Sequence, residues 1–146
     1  MKILVINGPN LNMLGKRDKT IYGDKTLAQI NTLVRKAGQK VGADVITFQS
    51  NSEGGIIDFI QQNKTKADGI IINPGALSHY GLSLRDALND TGLPSIEVHL
   101  SNIYARDDWR SKSVIAPIVK GQISGLGWRG YISALQILVG ELKGDS

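Results

Sequence analysis

Short apolar runs recur along this chain, and each of them is bounded by glycine, proline, asparagine or other polar residues. The first run, Ile3–Ile6, is aliphatic throughout, which is typical of a strand that is buried on both faces. Similar runs predict further strands at 44–48, 69–72 and 94–99. A fifth strand is predicted within 114–123, although Pro117 and Gly121 interrupt it and leave its extent open.

Between these runs, apolar residues recur at helical spacing, which predicts amphipathic helices. A helix is predicted at 26–40, and its apolar stripe consists of Leu27, Ile30, Val34 and Ala37. A second helix follows Ser52, a suitable N-cap, and continues through Ile60. Two more are predicted at 78–89, closed by Gly92, and at 128–142. The stripe of the last helix consists of Ile132, Leu135, Val139 and Leu142.

Strands that alternate with helices predict right-handed βαβ units, and hence a parallel sheet with helices on both faces. A length of 146 residues predicts one catalytic domain, 1–146. The strand order that we expect is 2-1-3-4-5, which makes the chain an α/β, flavodoxin-like three-layer sandwich. Ligands bind such sheets at the carboxyl ends of the strands where the order reverses. We therefore expect a site formed by the loops after Ile6, Ile72 and Val98.

A long polar connection, 7–23, follows the first strand and contains no obvious helix or strand. Connections of this length in compact domains are usually lids or binding loops. Tyrosine is a poor base at neutral pH because its ordinary pKa is ~10, but its phenolate is a strong base. A nearby guanidinium stabilises the phenolate, so Arg17 is a candidate activator of Tyr22. The alternative is a solvated loop with Tyr22 packed on the surface.

The chain has two histidines, His79 and His99, and both follow strands that end at the predicted site. Alternation along 95–100 places Glu97 on the same face as His99. A carboxylate in a central strand needs a partner, and Glu97 would stabilise His99 as an imidazolium that can act as a general acid. A buried Glu97–His99 pair with no chemical role is the other interpretation.

Two further segments are candidates for binding an anion. Asn73–His79 joins a strand to a helix start, where exposed N–H groups and the helix dipole favour a carboxylate. An ordinary turn with Ser78 as the helix cap is equally compatible with this segment. Arg106 and Arg110 are suitably spaced to clamp the same anion, but the intervening Asp107-Asp108 pair offers them surface partners instead.

Composition narrows the function classes. The net charge of +4 is spread along a chain with only 5% aromatic residues, so no nucleic-acid partner is predicted. No apolar run is long enough to span a bilayer and no leader is apparent, so we expect no membrane partner. The chain has no cysteine, which makes the cytoplasm the expected location. Phosphate-binding, flavin and zinc motifs are absent, and no metal site or cofactor is predicted.

Several motifs in fixed order resemble the type II 3-dehydroquinate dehydratases over essentially the whole chain. The matching segments are Asn7-Gly8-Pro9-Asn10-Leu11, Leu14-Gly15 with Arg17, Tyr22-Gly23, Gln49-Ser50-Asn51-Ser52-Glu53-Gly54, Asn73-Pro74-Gly75-Ala76, His79, Leu84-Arg85-Asp86-Ala87-Leu88, Glu97-Val98-His99-Leu100-Ser101-Asn102-Ile103, Arg106, Arg110 and Gly125-Leu126-Gly127.

The resemblance implies cofactor-free dehydration of 3-dehydroquinate to 3-dehydroshikimate, the third step of the shikimate pathway. It implies that Tyr22 is the base, that Arg17 activates it, that Asn10 orients a water against an enolate, and that His99 is the acid. The side chains and segments that would bind the substrate are Asn73, His79, Leu100, Ser101 and Arg110, with Glu97 and Arg106 behind them. Asp86 would reach into a neighbouring subunit's site, within a homododecamer built from trimers.

The chain departs from the family pattern within the predicted lid. Asp18-Lys19 replaces a common Glu-Pro pair between Arg17 and Tyr22, which keeps the spacing and puts the mobility of the lid in question. The competing function is a non-catalytic flavodoxin-like binding module that retains the pocket, and a flavin-binding electron carrier is the weaker third candidate. Neither alternative requires Arg17, Tyr22 and His99 together.

Overall fold

The protein is described from a computed structural model, which covers residues 1–145. Five parallel strands form one sheet of order 2-1-3-4-5, as predicted. The strands are β1 (Lys2–Asn7), β2 (Asp44–Gln49), β3 (Gly69–Asn73), β4 (Ser95–His99) and β5 (Gly121–Ser124). The flavodoxin-like α/β prediction is therefore confirmed.

Helices cover both faces of this sheet. They are α1 (Lys19–Tyr22), α2 (Leu27–Lys40), α3 (Glu53–Asn63), α4 (Leu82–Asp90) and α5 (Arg129–Leu142). Successive side chains of a strand point to opposite faces, so β1 contributes Ile3 and Val5 to the core under α2 and α5. Leu4 and Ile6 enter the core under α3 and α4. All four side chains are fully buried, which explains the unbroken aliphatic run.

Two predicted helix starts are confirmed by their caps. The Thr26 hydroxyl accepts a hydrogen bond from the Gln29 N–H at 3.2 Å, while the Gln29 side chain accepts one from the Thr26 N–H at 2.9 Å. This reciprocal arrangement is a capping box, and it begins α2. Ser52 caps α3 by accepting a hydrogen bond from the Gly55 N–H at 3.1 Å.

Other predicted boundaries are wrong. The helix predicted at 78–89 begins only at Leu82, because Gly75–His79 forms a 3-10 turn and Gly81 occupies the cap position. Ser78 is buried inside that turn and does not cap a helix. The fifth strand is limited to Gly121–Ser124 at the edge of the sheet, because Pro117 lies in a separate 3-10 turn, Ala116–Ile118.

The connection after β1 contains more regular structure than predicted. Leu11–Met13 forms a 3-10 turn and Lys19–Tyr22 forms one helical turn. Asp18 caps this turn, because its carboxylate accepts hydrogen bonds from the Thr20 N–H at 2.9 Å and the Thr20 hydroxyl at 2.6 Å. Within residues 1–145, no helix combines the length and the apolar character that crossing a bilayer would require.

Candidate active site

A cleft opens at the carboxyl ends of β1, β3 and β4, where the sheet order predicts a site. Its volume, including the open mouth, is about 530 Å³. Ten of the twelve candidate side chains line it: Asn10, Arg17, Tyr22, Asn73, His79, His99, Leu100, Ser101, Arg106 and Arg110. Gly75 and Ala76, from the predicted anion-binding segment 73–79, also line it. Pro9, Leu11 and Ile103 complete the wall and were not singled out as site residues. Glu97 and Asp86 lie outside the lining.

Arg17 and Tyr22 meet on the connection that follows β1. The Arg17 guanidinium donates a hydrogen bond from Nη2 to the Tyr22 hydroxyl at 2.8 Å, and its Cζ lies 3.8 Å from the ring centroid. Arg106 approaches the same ring, with its Cζ 5.2 Å from the centroid. Tyr22 is the last residue of α1, so the turn capped by Asp18 carries the phenol into the cleft. Two guanidinium groups therefore face one phenol.

Glu97 lies buried behind His99 on β4. His99 Nε2 is 2.5 Å from a Glu97 carboxylate oxygen, and Glu97 is completely inaccessible to solvent. The Ser113 hydroxyl also contacts this carboxylate, at 2.8 and 3.0 Å from its two oxygens, and donates its proton to it. A buried carboxylate needs hydrogen-bond partners, and Glu97 has two, the His99 ring and the Ser113 hydroxyl. The Glu97 contact occupies Nε2 and leaves Nδ1 available to a ligand.

His79 also lines the cleft and is held by a different partner. Its Nδ1 is 2.7 Å from the Lys112 carbonyl oxygen, which can only accept a hydrogen bond. Nδ1 therefore carries the hydrogen, and Nε2 is the acceptor. Burial lowers the pKa of His79 below its ordinary value of 6.5. The ring is thus neutral at pH 7, packed edge-on against Trp109 at 5.2 Å, and suited to accepting a hydrogen bond from a hydroxyl.

Asn73, at the end of β3, is fixed by two contacts. Its side-chain amide donates to the Tyr131 hydroxyl at 2.9 Å, and its amide oxygen accepts from the Gly75 N–H at 3.1 Å. Tyr131 in turn donates to the Asn7 amide oxygen at 2.6 Å. Burial raises the pKa of the Tyr131 phenol, although the hydrogen bond from Asn73 opposes this rise, so Tyr131 stays protonated and donates to Asn7.

The sequence patterns did not identify Tyr131 or Ser113. Leu135 and Val139 of the stripe predicted for α5 are buried, and Ile132 and Leu142 are partly buried against the same core. The buried face of α5 also includes Tyr131 and Leu138, which the predicted stripe omitted. A tyrosine on the buried face of a helix is the signal that could have been used, because its hydroxyl requires a hydrogen-bond partner. Ser113 gives no comparable signal, since its partner Glu97 is reached only when the chain folds back.

The two arginines after β4 have different partners. Arg106 donates from Nη1 to the Ser101 hydroxyl at 3.3 Å and leans toward Tyr22. Arg110 contacts the Asp107 carboxylate at 3.4 Å and stacks on Trp109, with its Cζ 4.0 Å from the ring centroid. The surface pairing is therefore present for Arg110, and the anion clamp stays a prediction. Arg110 still lines the cleft, and its pairing with the exposed Asp107 is weak.

Asp86 is exposed on α4 and takes no part in the cleft of its own chain. Residues 1–145 contain no group of three or more histidine, cysteine, aspartate or glutamate side chains placed to hold a metal ion. The cleft therefore brings together a tyrosine with guanidinium neighbours, a buried acid–histidine pair, a neutral histidine and fixed amides. Such a set can remove a proton, stabilise the resulting negative charge and protonate a leaving group.

Known proteins resemble this chain in sequence and structure. The Dehydroquinase class II family model matches residues 1–139. The 3-dehydroquinate dehydratase of Roseiflexus castenholzii is 59% identical over 140 residues, which cover 96% of this chain and 89% of that protein. The type II dehydroquinase structure from Butyrivibrio crossotus has a TM-score of 0.92 at 46% identity, covering 94% of this chain and 97% of the other. That from Propionibacterium acnes has a TM-score of 0.91 at 42% identity, covering 94% and 95% respectively.

Proposed function

This chain belongs to the dehydroquinase class II family, and we propose that it dehydrates 3-dehydroquinate to 3-dehydroshikimate. The family assigns it to the hydro-lyases, and the high identity to curated 3-dehydroquinate dehydratases supports the substrate. The observation that carries the mechanism is that the Arg17–Tyr22 and Glu97–His99 pairs line or support one cleft. A base and an acid are both needed to remove a proton and a hydroxyl from neighbouring carbons.

The first step is removal of a proton from the carbon alpha to the ketone. Tyr22 takes this proton as a phenolate, and the electron pair moves onto the ketone oxygen to give an enolate. Arg17 stabilises the phenolate before the transfer and remains beside the negative charge afterwards. Its 2.8 Å hydrogen bond to the Tyr22 hydroxyl supports this role. Asn10, also in the cleft lining, orients a water that donates to the enolate oxygen.

The second step is loss of the hydroxyl from the adjacent carbon. As the enolate collapses, its electron pair forms the new carbon–carbon double bond, and the carbon–oxygen bond breaks. His99 donates a proton to the departing hydroxyl, which leaves as water. The contact between Glu97 and His99 Nε2 supports this assignment, because it stabilises the imidazolium from which the proton comes.

The remaining lining side chains are assigned to substrate binding. Neutral His79 accepts a hydrogen bond from a substrate hydroxyl through Nε2. Asn73 and the Leu100–Ser101 segment hold the substrate between β3 and β4, and Arg110 contributes a positive charge toward its carboxylate. Arg106 supports the site from behind, through Ser101 and the Tyr22 ring.

The assembly and location belong to the same proposal. We assign one catalytic domain to 1–146, located in the cytoplasm, within a homododecamer built from trimers. Exposure of Asp86 on α4, outside its own cleft, is what a residue reaching a neighbouring subunit's site requires. Light scattering of the purified protein should give twelve times the mass of the 15.8 kDa chain. A stable monomer with full activity would overturn this assignment.

The activity is tested by incubating the purified protein with 3-dehydroquinate and recording ultraviolet absorbance of the conjugated enone product. Steady formation of the enone is expected, and borohydride added with substrate should leave the enzyme active because no lysine imine is formed. Absence of product at high enzyme concentration would overturn the proposal. Calorimetric binding of 3-dehydroquinate without turnover would instead identify a non-catalytic binding module.

A further inference from the structure

Asn10 has an unusual backbone conformation for a residue placed in a reaction site. Its φ of 70° and ψ of −4° lie in the left-handed region, and it is the one non-glycine residue of 1–145 with positive φ. Residues other than glycine are disfavoured in this region, and asparagine is one of those that tolerate it best. A strained backbone of this kind persists only where neighbouring groups hold it.

Two amide side chains from the neighbouring β2 edge hold this segment. The Asn51 amide oxygen accepts a hydrogen bond from the Asn10 N–H at 3.0 Å. The same oxygen accepts a second bond from Gln49 Nε2 at 3.1 Å, which orients the Asn51 side chain. Gln49 Nε2 also donates to the Gly8 carbonyl at 3.1 Å. Gln49 and Asn51 therefore hold the loop at two points, Gln49 at Gly8 and Asn51 at Asn10.

The opposite side of the loop is closed by β3. The Gly8 N–H donates to the Asn73 carbonyl at 2.8 Å. A Cβ atom at Gly8 would lie 2.4 Å from the Pro74 carbonyl oxygen, so the two backbones are already in contact. The loop consequently has no space to shift toward β3, and its position on the other side depends on Gln49 and Asn51. Register supports this arrangement, since Asn7 pairs with Gln49 on one side and Asn73 on the other.

We propose that Gln49 and Asn51 are positioning residues for the reaction, which act by holding Asn10 in its left-handed conformation. This inference rests on the proposed function, in which Asn10 orients the water that stabilises the enolate. Neither Gln49 nor Asn51 lines the cleft, so neither contacts the substrate. Both backbone groups of Asn10 are engaged, the N–H by Asn51 and the carbonyl by the Met13 N–H at 3.0 Å. Its side chain is thereby aimed at the cleft.

Three single variants test the proposal. Asn51→Ala removes the acceptor, and kcat is expected to fall roughly 5- to 10-fold with KM changed less than 2-fold, as for loss of a hydrogen bond of ordinary strength. Asn51→Asp keeps an acceptor oxygen for the Asn10 N–H and should retain kcat within about 2-fold. Asn89→Ala removes an exposed amide at the far end of α4 and is the matched control, with unchanged kcat. An unchanged kcat for Asn51→Ala would overturn the proposal.

A double-mutant cycle separates positioning from general destabilisation. Asn10→Ala alone should lower kcat strongly, and Asn51→Ala added to it should lower kcat no further, because the side chain that Asn51 positions is gone. A full multiplicative loss in the double variant would show that Asn51 acts elsewhere and would overturn the proposal. The melting temperature of each variant is measured alongside, since a merely structural role would move it in proportion to kcat.

The failure of this inference is distinguishable from failure of the proposed function. Wild-type protein that produces no enone overturns the function, and with it the catalytic part of the inference. Active wild type with an unaffected Asn10→Ala variant overturns the role of Asn10 and this inference with it, while the proposed dehydration stands. Hydrogen exchange at the Asn10 amide gives a readout independent of activity. Its protection should drop in Asn51→Ala and persist in Asn51→Asp, and equal protection in both would contradict the proposed contact.

Discussion

The proposed acid and the proposed base are held in very different surroundings. His99 lies on a central strand, 5% exposed, against a Glu97 that is fully buried. Tyr22 lies at the end of a single helical turn, half-buried, next to an exposed Asp18 cap. The acid is positioned by the core of the protein, whereas the base is positioned by a surface segment and its guanidinium partners. Substitutions around the acid should therefore affect folding and chemistry together, and those around the base should affect chemistry alone.

The largest effect is expected from Tyr22→Phe, which keeps the ring and removes the proton acceptor. General base catalysis contributes about 10²–10⁴ in rate, so kcat should fall by roughly 10³-fold while KM changes little. The melting temperature should stay at the wild-type value, because Tyr22 is outside the fully buried core. Tyr104→Phe, an exposed tyrosine that donates to Gln122, is the matched control. Turnover near wild type in Tyr22→Phe would place the base elsewhere.

Glu97→Gln tests the acid side of the comparison. The amide no longer stabilises an imidazolium, and kcat should fall roughly 100-fold, at the lower end of the range for loss of acid catalysis. Because Glu97 is buried with His99 and Ser113, the free energy of unfolding should change as well. Glu141→Gln is the control, since Glu141 forms a half-exposed ion pair with Lys120 at 2.6 Å. A Glu97→Gln variant with wild-type kcat would show that the pair is only structural.

Tyr131→Phe tests the hydrogen-bond network that holds the ends of β1 and β3, and it replaces no residue of the cleft lining. It leaves Asn7 and Asn73 without their shared partner, so the free energy of unfolding should fall by about 1–3 kcal/mol in urea denaturation. Tyr80→Phe, at a 62% exposed tyrosine, is the control and should be neutral. A neutral Tyr131→Phe would show that the two asparagines find other partners.

The pH dependence of stability sharpens this test. Burial raises the pKa of Tyr131 above the ordinary tyrosine value of 10.0, so the unfolded chain releases this proton first as pH rises. The stabilisation is complete below pH 10 and is lost progressively above it. Tyr131→Phe should remove that part of the loss. The same alkaline loss in wild type and variant would assign it to other groups.

The smallest effect is expected from Asp18→Ala, on the surface side of the comparison. Loss of the cap destabilises the helical turn that carries Tyr22 by about 1 kcal/mol, the usual effect of removing an N-cap. The fraction of molecules with Tyr22 in place falls accordingly, and kcat should fall roughly 3- to 5-fold. The melting temperature should be unchanged. Asp24→Ala, at a neighbouring exposed carboxylate, is the control.

The Thr20 hydrogen bonds lower the pKa of Asp18 below 3.8, so its cap is intact above that value and is lost only as pH falls through the lowered pKa.

Sequence patterns predicted the fold because the helical and strand periods report directly on burial. The aliphatic run Ile3–Ile6 and the stripe of 26–40 both correspond to elements packed in the core. The 3-10 turn at Gly75–His79 was not predicted, because a single turn depends on its partners and leaves no period in the sequence. The helical turn at Lys19–Tyr22 was not predicted for the same reason.

The candidate site was predictable to the extent that its groups follow strand ends. His99 and Asn73 end β4 and β3, and sheet topology alone brings them to one edge. Ser113 and Tyr131 were missed, because each contacts a residue that is remote in sequence. The orientation of the Arg110 side chain could not be predicted either, because it depends on contacts with both Asp107 and Trp109 in the folded chain.

The two reactive pairs share one property: each is formed by residues that are near neighbours along the chain. Arg17 and Tyr22 are five positions apart, and Glu97 and His99 are two positions apart. Each pair therefore travels as a unit with its own segment. An opening motion of the segment that carries Tyr22 would break neither the Arg17–Tyr22 contact nor the Glu97–His99 contact. Opening and closing the cleft then changes only the distance between two preassembled halves.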